Sequence, residues 1–248
     1  MLYNPFPSIE LGYGEDNKWF YILFEAIMRV DSSFIEYNVL IKNKNNDATK
    51  YKRAKLDAEE HIERVFAYEL YRQWANILEQ YGIKNLALNG EIEKEIRNYI
   101  YDNVENPNDP KTRDVYPDLV LHHSQGKDNM QLIVCEIKRS KGINSPKIFE
   151  DLHKLSCYLS RKIFWKKEFK YGVFIIAGKE ASLEKIKMRK DTKSHFMRNE
   201  ISFEDYKKDK NFKQKFKNIV CISYNGKTLE YDTLDNILAN TSKPKKAK

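Results

Sequence analysis

A chain of 248 residues, 41% apolar and 32% charged, has the make-up of one water-soluble globular domain or two small ones. No apolar run approaches the roughly 18 to 20 residues that a membrane-spanning helix needs, which excludes that class. The formal net charge of +8 favours a polyanionic partner.

The opening residues, Met1 to Pro7, lack the basic and apolar segments of a secretory signal, so the cytoplasm is the expected location and no membrane partner is expected. Cys135, Cys157 and Cys221 stand far apart in apolar runs, as reduced core thiols do. The five histidines show no metal-ligand spacing, and the alternation of a strand lets at most one of His122 and His123 reach a common site. Basic residues gather at 42–55, 161–170, 185–193 and 207–217. Lysine outnumbers arginine there, which suits phosphate contact better than base reading.

In chain order, residues 1–15 read as an irregular arm and Trp19 to Val30, apolar nearly all round, as a short buried helix. Phe34 to Ile41 reads as a strand, and Lys42 to Lys55 as a basic loop or flexible nucleic-acid contact. From Leu56 to Tyr81, Phe66, Leu70, Trp74, Ile77 and Tyr81 form one helical stripe. Glu63 falls near the middle of that stripe and Glu59 lies one turn before it, whereas Glu69 sits at the edge and Glu60, Arg64 and Arg72 turn to water. A surface helix has no reason to aim a carboxylate inward, so Glu63 has a polar destination. Gly82 is a helix stop. Lys84 to Glu93 alternates weakly as a strand, and Asp102 to Asp114 is a loop.

Tyr116 to Ser140 reads as a hairpin: two apolar runs joined by Ser124 to Asn129. Asp118 opens its first strand, and Glu136 and Lys138 share one face of the second, opposite to Cys135 and Ile137. Unpaired ions in so apolar a strand are costly, so these charges are expected to be paired or to bind a metal. The open end of the hairpin brings Asp118 to them. Lys147 to Trp165 then shows helical spacing, Tyr171 to Ala177 a buried strand ended by Gly178, and Asn218 to Tyr224 a last strand after a charged helix. Asn225-Gly226 is a turn, and residues 242–248 read as a disordered basic tail.

Pro117-Asp118, then Glu136-Ile137-Lys138 between apolar strands, after a helix with an inward Glu, resembles the PD-(D/E)XK nuclease superfamily, the restriction-endonuclease-like fold. The resemblance covers about residues 56–178, leaving an N-terminal extension at 1–55 and a C-terminal one at 179–241 within one domain. It implies an α/β core of helix, three-stranded antiparallel meander, helix and fourth strand. It also implies a catalytic set of Asp118, Glu136, Lys138 and Glu63. Asp151-Leu152-His153-Lys154-Leu155 is similar to a D-x-x-K-L pattern in some bacterial members, though Lys154 turns off the apolar stripe and serves equally as a solvated lysine.

The implied chemistry is metal-dependent hydrolysis of DNA, with endonuclease action favoured over exonuclease and RNA left open as substrate. Asp118, Glu136, the backbone carbonyl of Ile137 and Glu63 would supply oxygens to Mg2+ or Mn2+. Lys138 would orient or deprotonate the attacking water, and Lys154, Arg139 and Lys141 would meet the nucleic acid. A homodimer is compatible with the reading. The alternative is a catalytically inactive nuclease-like fold that binds nucleic acid or protein.

Overall fold

The computed structural model describes residues 11–35, 48–90, 117–123, 131–141, 143–160, 169–194, 200–239 and 245–247, with backbone alone at 48–62 and 245–247. Helix α1, Asn17–Met28, buries Trp19, Phe20, Ile22, Leu23, Phe24, Ala26 and Ile27, as its uniform apolarity requires. Phe34 ends a 3-10 turn, Ser32–Phe34, whose cap Asp31 accepts from the Ser33 N–H at 2.7 Å, so no strand begins there. The rest of that expected strand lies outside the described residues.

Helix α2, Ala48–Gln80, begins well before Leu56, so the expected basic loop is helical from Ala48 onward. Ala, Lys, Arg and Glu favour helix without needing an apolar stripe. Further along, Phe66, Leu70, Trp74 and Ile77 are buried. Gly82 ends α2 at φ +66°: its N–H donates to the Glu79 carbonyl and that of Ile83 to the Leu78 carbonyl, each at 2.9 Å. A left-handed residue here closes the last turn, and glycine takes it without strain.

Strands β1 (Leu86–Gly90), β2 (Leu119–His123) and β3 (Gln131–Arg139) form an antiparallel meander. Helix α3, Ser145–Tyr158, starts where the Asn144 side chain accepts from the Lys147 N–H and Pro146 occupies the first turn. It leads to β4, Phe169–Ala177, which lies parallel to β3, as a helical crossover dictates. The mixed sheet continues through β7 (Ile219–Tyr224), β8 (Leu229–Thr233) and β9 (Lys245–Ala247), in the order β1-β2-β3-β4-β7-β8-β9.

Three expectations for the C-terminal part are corrected. No single charged helix follows β4: the described residues hold a 3-10 turn at Leu183–Ile186, the ribbon of β5 (Lys193–Ser194) and β6 (Ile201–Ser202), then short helices α4 (Phe203–Lys208) and α5 (Lys210–Lys213). Ser202 and Asp209 cap those two helices, which is what breaks the segment. β7 is not the last strand, because the Asn225-Gly226 turn folds β8 back on it, followed by α6, Leu234–Ala239. Three residues of the expected disordered tail pair with β8 as β9.

The sheet is covered on both faces. α1 and α2 pack on alternate strand residues Leu119, Cys135, Ile137, Val173 and Ile175. α3 and the C-terminal helices pack on Val120, Val134, Phe174, Ile176 and Cys221. All three cysteines are buried and free. No helix among the described residues is long and apolar enough to cross a membrane.

Candidate active site

Position 136 follows Val134 on the α3 side of β3, so Glu136 and Lys138 both project toward α3. Leu119 opposes Cys135 in the register; one step on, Asp118 opposes Glu136. Pro117 has no N–H to continue that ladder. Instead the Asp118 N–H donates to the Cys135 carbonyl at 3.0 Å, and the Ile137 N–H donates to Asp118 Oδ2 at 2.6 Å. One oxygen of Asp118 thereby closes the end of the hairpin.

Glu136 is 2% exposed, and its Oε1 is buried without a hydrogen-bond partner. Its Oε2 stands 3.8 Å from Lys154 Nζ. Lys138 Nζ gathers three oxygens: Asp151 Oδ2 at 3.3 Å, the Ile137 carbonyl at 3.3 Å and Glu63 Oε2 at 3.5 Å. Glu63 comes from α2 on the opposite face of the sheet and reaches round the end of β3, where its Oε1 also accepts from the Arg139 N–H at 3.4 Å. Asp151, 2% exposed on α3, accepts from Lys154 Nζ through Oδ1 at 3.0 Å.

Four carboxyl groups thus converge with two lysines, so the acids outnumber the ammonium groups. Burial pushes the Asp118 carboxyl up to about 7, with Lys138 and the Ile137 N–H pulling the other way. Burial raises Glu136 well above the usual carboxylate range, against the opposing charge of Lys154. For Lys138, burial alone would lower the ammonium, but Asp151, Glu63, Asp118 and Glu136 outweigh it and hold it charged. Glu136, then Asp151, does the same for Lys154 against its burial.

The structure therefore gathers Asp118, Glu136, Lys138 and Glu63, and draws in Lys154. Lys154 does not stand alone in solvent: it is ion-paired to Asp151 and Glu136. Arg139 contributes a backbone N–H to Glu63, and Lys141 is exposed beyond the strand end. His122 is turned to the Asn89 side chain at 2.8 Å, away from the acids. The side chain of Glu59 lies outside the described ones.

The D-x-x-K-L resemblance names Asp151 without giving it a role at the site, and nothing in the sequence reading points to Tyr158. The signal was present: Asp151 falls between Ile148 and Leu155 on the buried stripe of α3, as inward as Glu63 is on α2. The Tyr158 hydroxyl is buried without a hydrogen-bond partner, and after burial itself the charge of Glu136 does most to hold it protonated.

Comparison with protein-family models, curated proteins and solved structures returned no match. The donor chemistry of the site has to speak for itself. Carboxylate and carbonyl oxygens suit a hard cation and exclude the soft sites built from thiolate. Among the described residues no three His, Cys, Asp or Glu side chains form a ready metal cluster. Mg2+ does not need such a cage: it is commonly held by one or two carboxylates and its own waters. Asp118 with its second oxygen and Glu136 with its unpartnered Oε1 fit that demand.

Proposed function

We propose that the chain is a Mg2+- or Mn2+-dependent nuclease of the PD-(D/E)XK kind that hydrolyses phosphodiester bonds of DNA, internal bonds in preference to ends. The observation that carries this reading is the buried, unpartnered Oε1 of Glu136 beside Asp118, in a cluster with more carboxylates than lysines. Leaving such an oxygen bare costs about 1–3 kcal/mol or more, a cost that a bound cation would remove. The order α2, meander β1-β2-β3, α3, then β4 parallel to β3 supports the restriction-endonuclease-like core.

Asp118, Glu136 and the Ile137 carbonyl would hold the ion, with Glu63 acting directly or through water. When bound, it supplies an acidified water and neutralises charge on the phosphate. Lys138 holds and orients the attacking water and meets the charge that develops on phosphate oxygens. Glu63 and Asp151 keep that ammonium charged and near the end of β3. Exposed Lys141 would meet the nucleic-acid backbone.

A second reading has its own support. Lys138 and Lys154 already neutralise much of the acid cluster, as they would in a nuclease-like fold that only binds nucleic acid or protein. Closed circular plasmid DNA with Mg2+ or Mn2+ separates the two, since it has no ends. Nicking by the wild type, lost in Asp118→Ala and Lys138→Ala, is the expected result. Equal cutting by all three proteins would mark a contaminant, and retention of DNA without cutting would favour the binding module.

A further inference from the structure

Helix α3 faces the acids with Asp151, Lys154 and Tyr158, spaced three and four residues apart and so stacked on one stripe. The two oxygens of Asp151 serve different ammonium groups: Oδ1 takes Lys154 at 3.0 Å and Oδ2 takes Lys138 at 3.3 Å. Those lysines belong to different elements, β3 and α3, and among the described residues no other carboxylate is ion-paired to both. The other acid on Lys154, Glu136, is farther at 3.8 Å, and the other acid on Lys138, Glu63, is farther at 3.5 Å. A carboxylate this deeply buried is tolerable only when paired, and here Oδ1 accepts a hydrogen bond from Lys154 while Oδ2, without a hydrogen bond, lies in ion-pair contact with Lys138.

We propose that Asp151 is a positioning residue: it fixes the separation of Lys138 and Lys154, so that one serves the attacking water and the other the scissile phosphate. It is not itself a ligand of the cation. The contrast is with Glu136: its Oε1 and Asp151 Oδ2 both lack a hydrogen bond, but Asp151 Oδ2 has the Lys138 ammonium at 3.3 Å. A free lysine side chain samples many rotamers, and Asp151 removes that freedom from both before substrate arrives. The inference deepens the nuclease reading and rests on it.

The test uses the full chain with 15N-labelled lysine, in which the ammonium signals of Lys138 and Lys154 are identified by their loss in Lys138→Met and Lys154→Met. Spectra, calorimetric Mn2+ binding, thermal midpoints and steady-state plasmid cleavage are compared for wild type, Asp151→Asn and Asp151→Glu. Asp151→Asn is expected to speed hydrogen exchange at both ammonium groups, keep Mn2+ affinity and lower kcat by about tenfold to a hundredfold with KM little changed. Asp151→Glu should restore part of kcat, which separates lost positioning from lost fold. Wild-type exchange and kcat in Asp151→Asn would overturn the inference alone, as would loss of Mn2+ affinity equal to that of Asp118→Asn. A wild type that binds Mn2+ and cuts no polynucleotide would overturn the nuclease reading, and this role with it.

Discussion

Two buried residues should give the protein opposite responses to pH. Asp118 is held up to about 7 by burial, above the roughly 4 of an unfolded aspartate, so folding takes up a proton between those values. Its carboxyl therefore favours the folded state below about pH 4 and loses that contribution as pH rises through 7. In the presence of chelator, Asp118→Asn should melt higher than wild type at pH 8, and the gain should vanish by about pH 4. Added Mn2+ should raise the wild-type midpoint and leave the variant where it was. His153, packed among Phe149, Tyr206 and Phe212 with Nδ1 at 3.1 Å from Ser194 Oγ, behaves in reverse. Burial lowers it to about 4, so its contribution is present above about 6.5 and is lost as pH falls through 4. At pH 5 the loss is about 2 kcal/mol. Any stability advantage of wild type over His153→Asn should shrink by about that much between pH 7 and pH 5, read from thermal midpoints.

At the scale of elements, the ends of β3 and β4 are locked to each other beside the acid cluster. The Ser140 N–H donates to the Ala177 carbonyl at 2.7 Å, and Lys185 Nζ donates to the Ser140 carbonyl at 2.7 Å. Gly178 follows at φ +133°, where a Cβ would meet Ser140 Oγ at 2.3 Å. Gly178→Ala should therefore destabilise by about 1–3 kcal/mol, measured in urea. Ser140→Ala should relieve the clash but not the backbone strain, so the double variant should recover only part of the loss. The strong periodicities were legible in sequence: the hairpin, the Glu63 stripe, the Gly82 stop and both later core strands. The start of α2 was not, because a polar helix leaves no apolar stripe to read. The segment after β4 hid its breaks, since capping by Ser202 and Asp209 depends on neighbours that lysine-rich sequence obscures. At the site, Lys154 lies beside the apolar stripe and not on it, on the face of α3 that it shares with Asp151 and Tyr158, and an apolar pattern alone does not show that face. Asp151 shares the buried stripe with Ile148 and Leu155, and an apolar periodicity does not distinguish a buried acid from a gap in the stripe.

For the whole molecule, the proposed nuclease function sets the positive excess against the acid-rich site, which pull on a nucleic acid in different ways. The net charge of +8 is spread as scattered lysines, while the described cluster carries more carboxylates than ammonium groups. Binding of duplex DNA in chelator should be nearly indifferent to sequence and should weaken steeply with salt, as counterion release demands. Fluorescence anisotropy at 50 and 200 mM salt, with several unrelated duplexes, checks both; an affinity insensitive to salt would rule out backbone contact by lysine. The contact of Lys138 Nζ with the Ile137 carbonyl, Glu63 and Asp151 bears on how such a protein matures. An ammonium covalently part of the chain acts as a resident counterion, so the strand end can assemble in a cell short of divalent ions. Stripping with chelator should then leave the far-ultraviolet circular dichroism unaltered, in contrast to a zinc finger, whose polypeptide collapses into disorder when its ion is withdrawn.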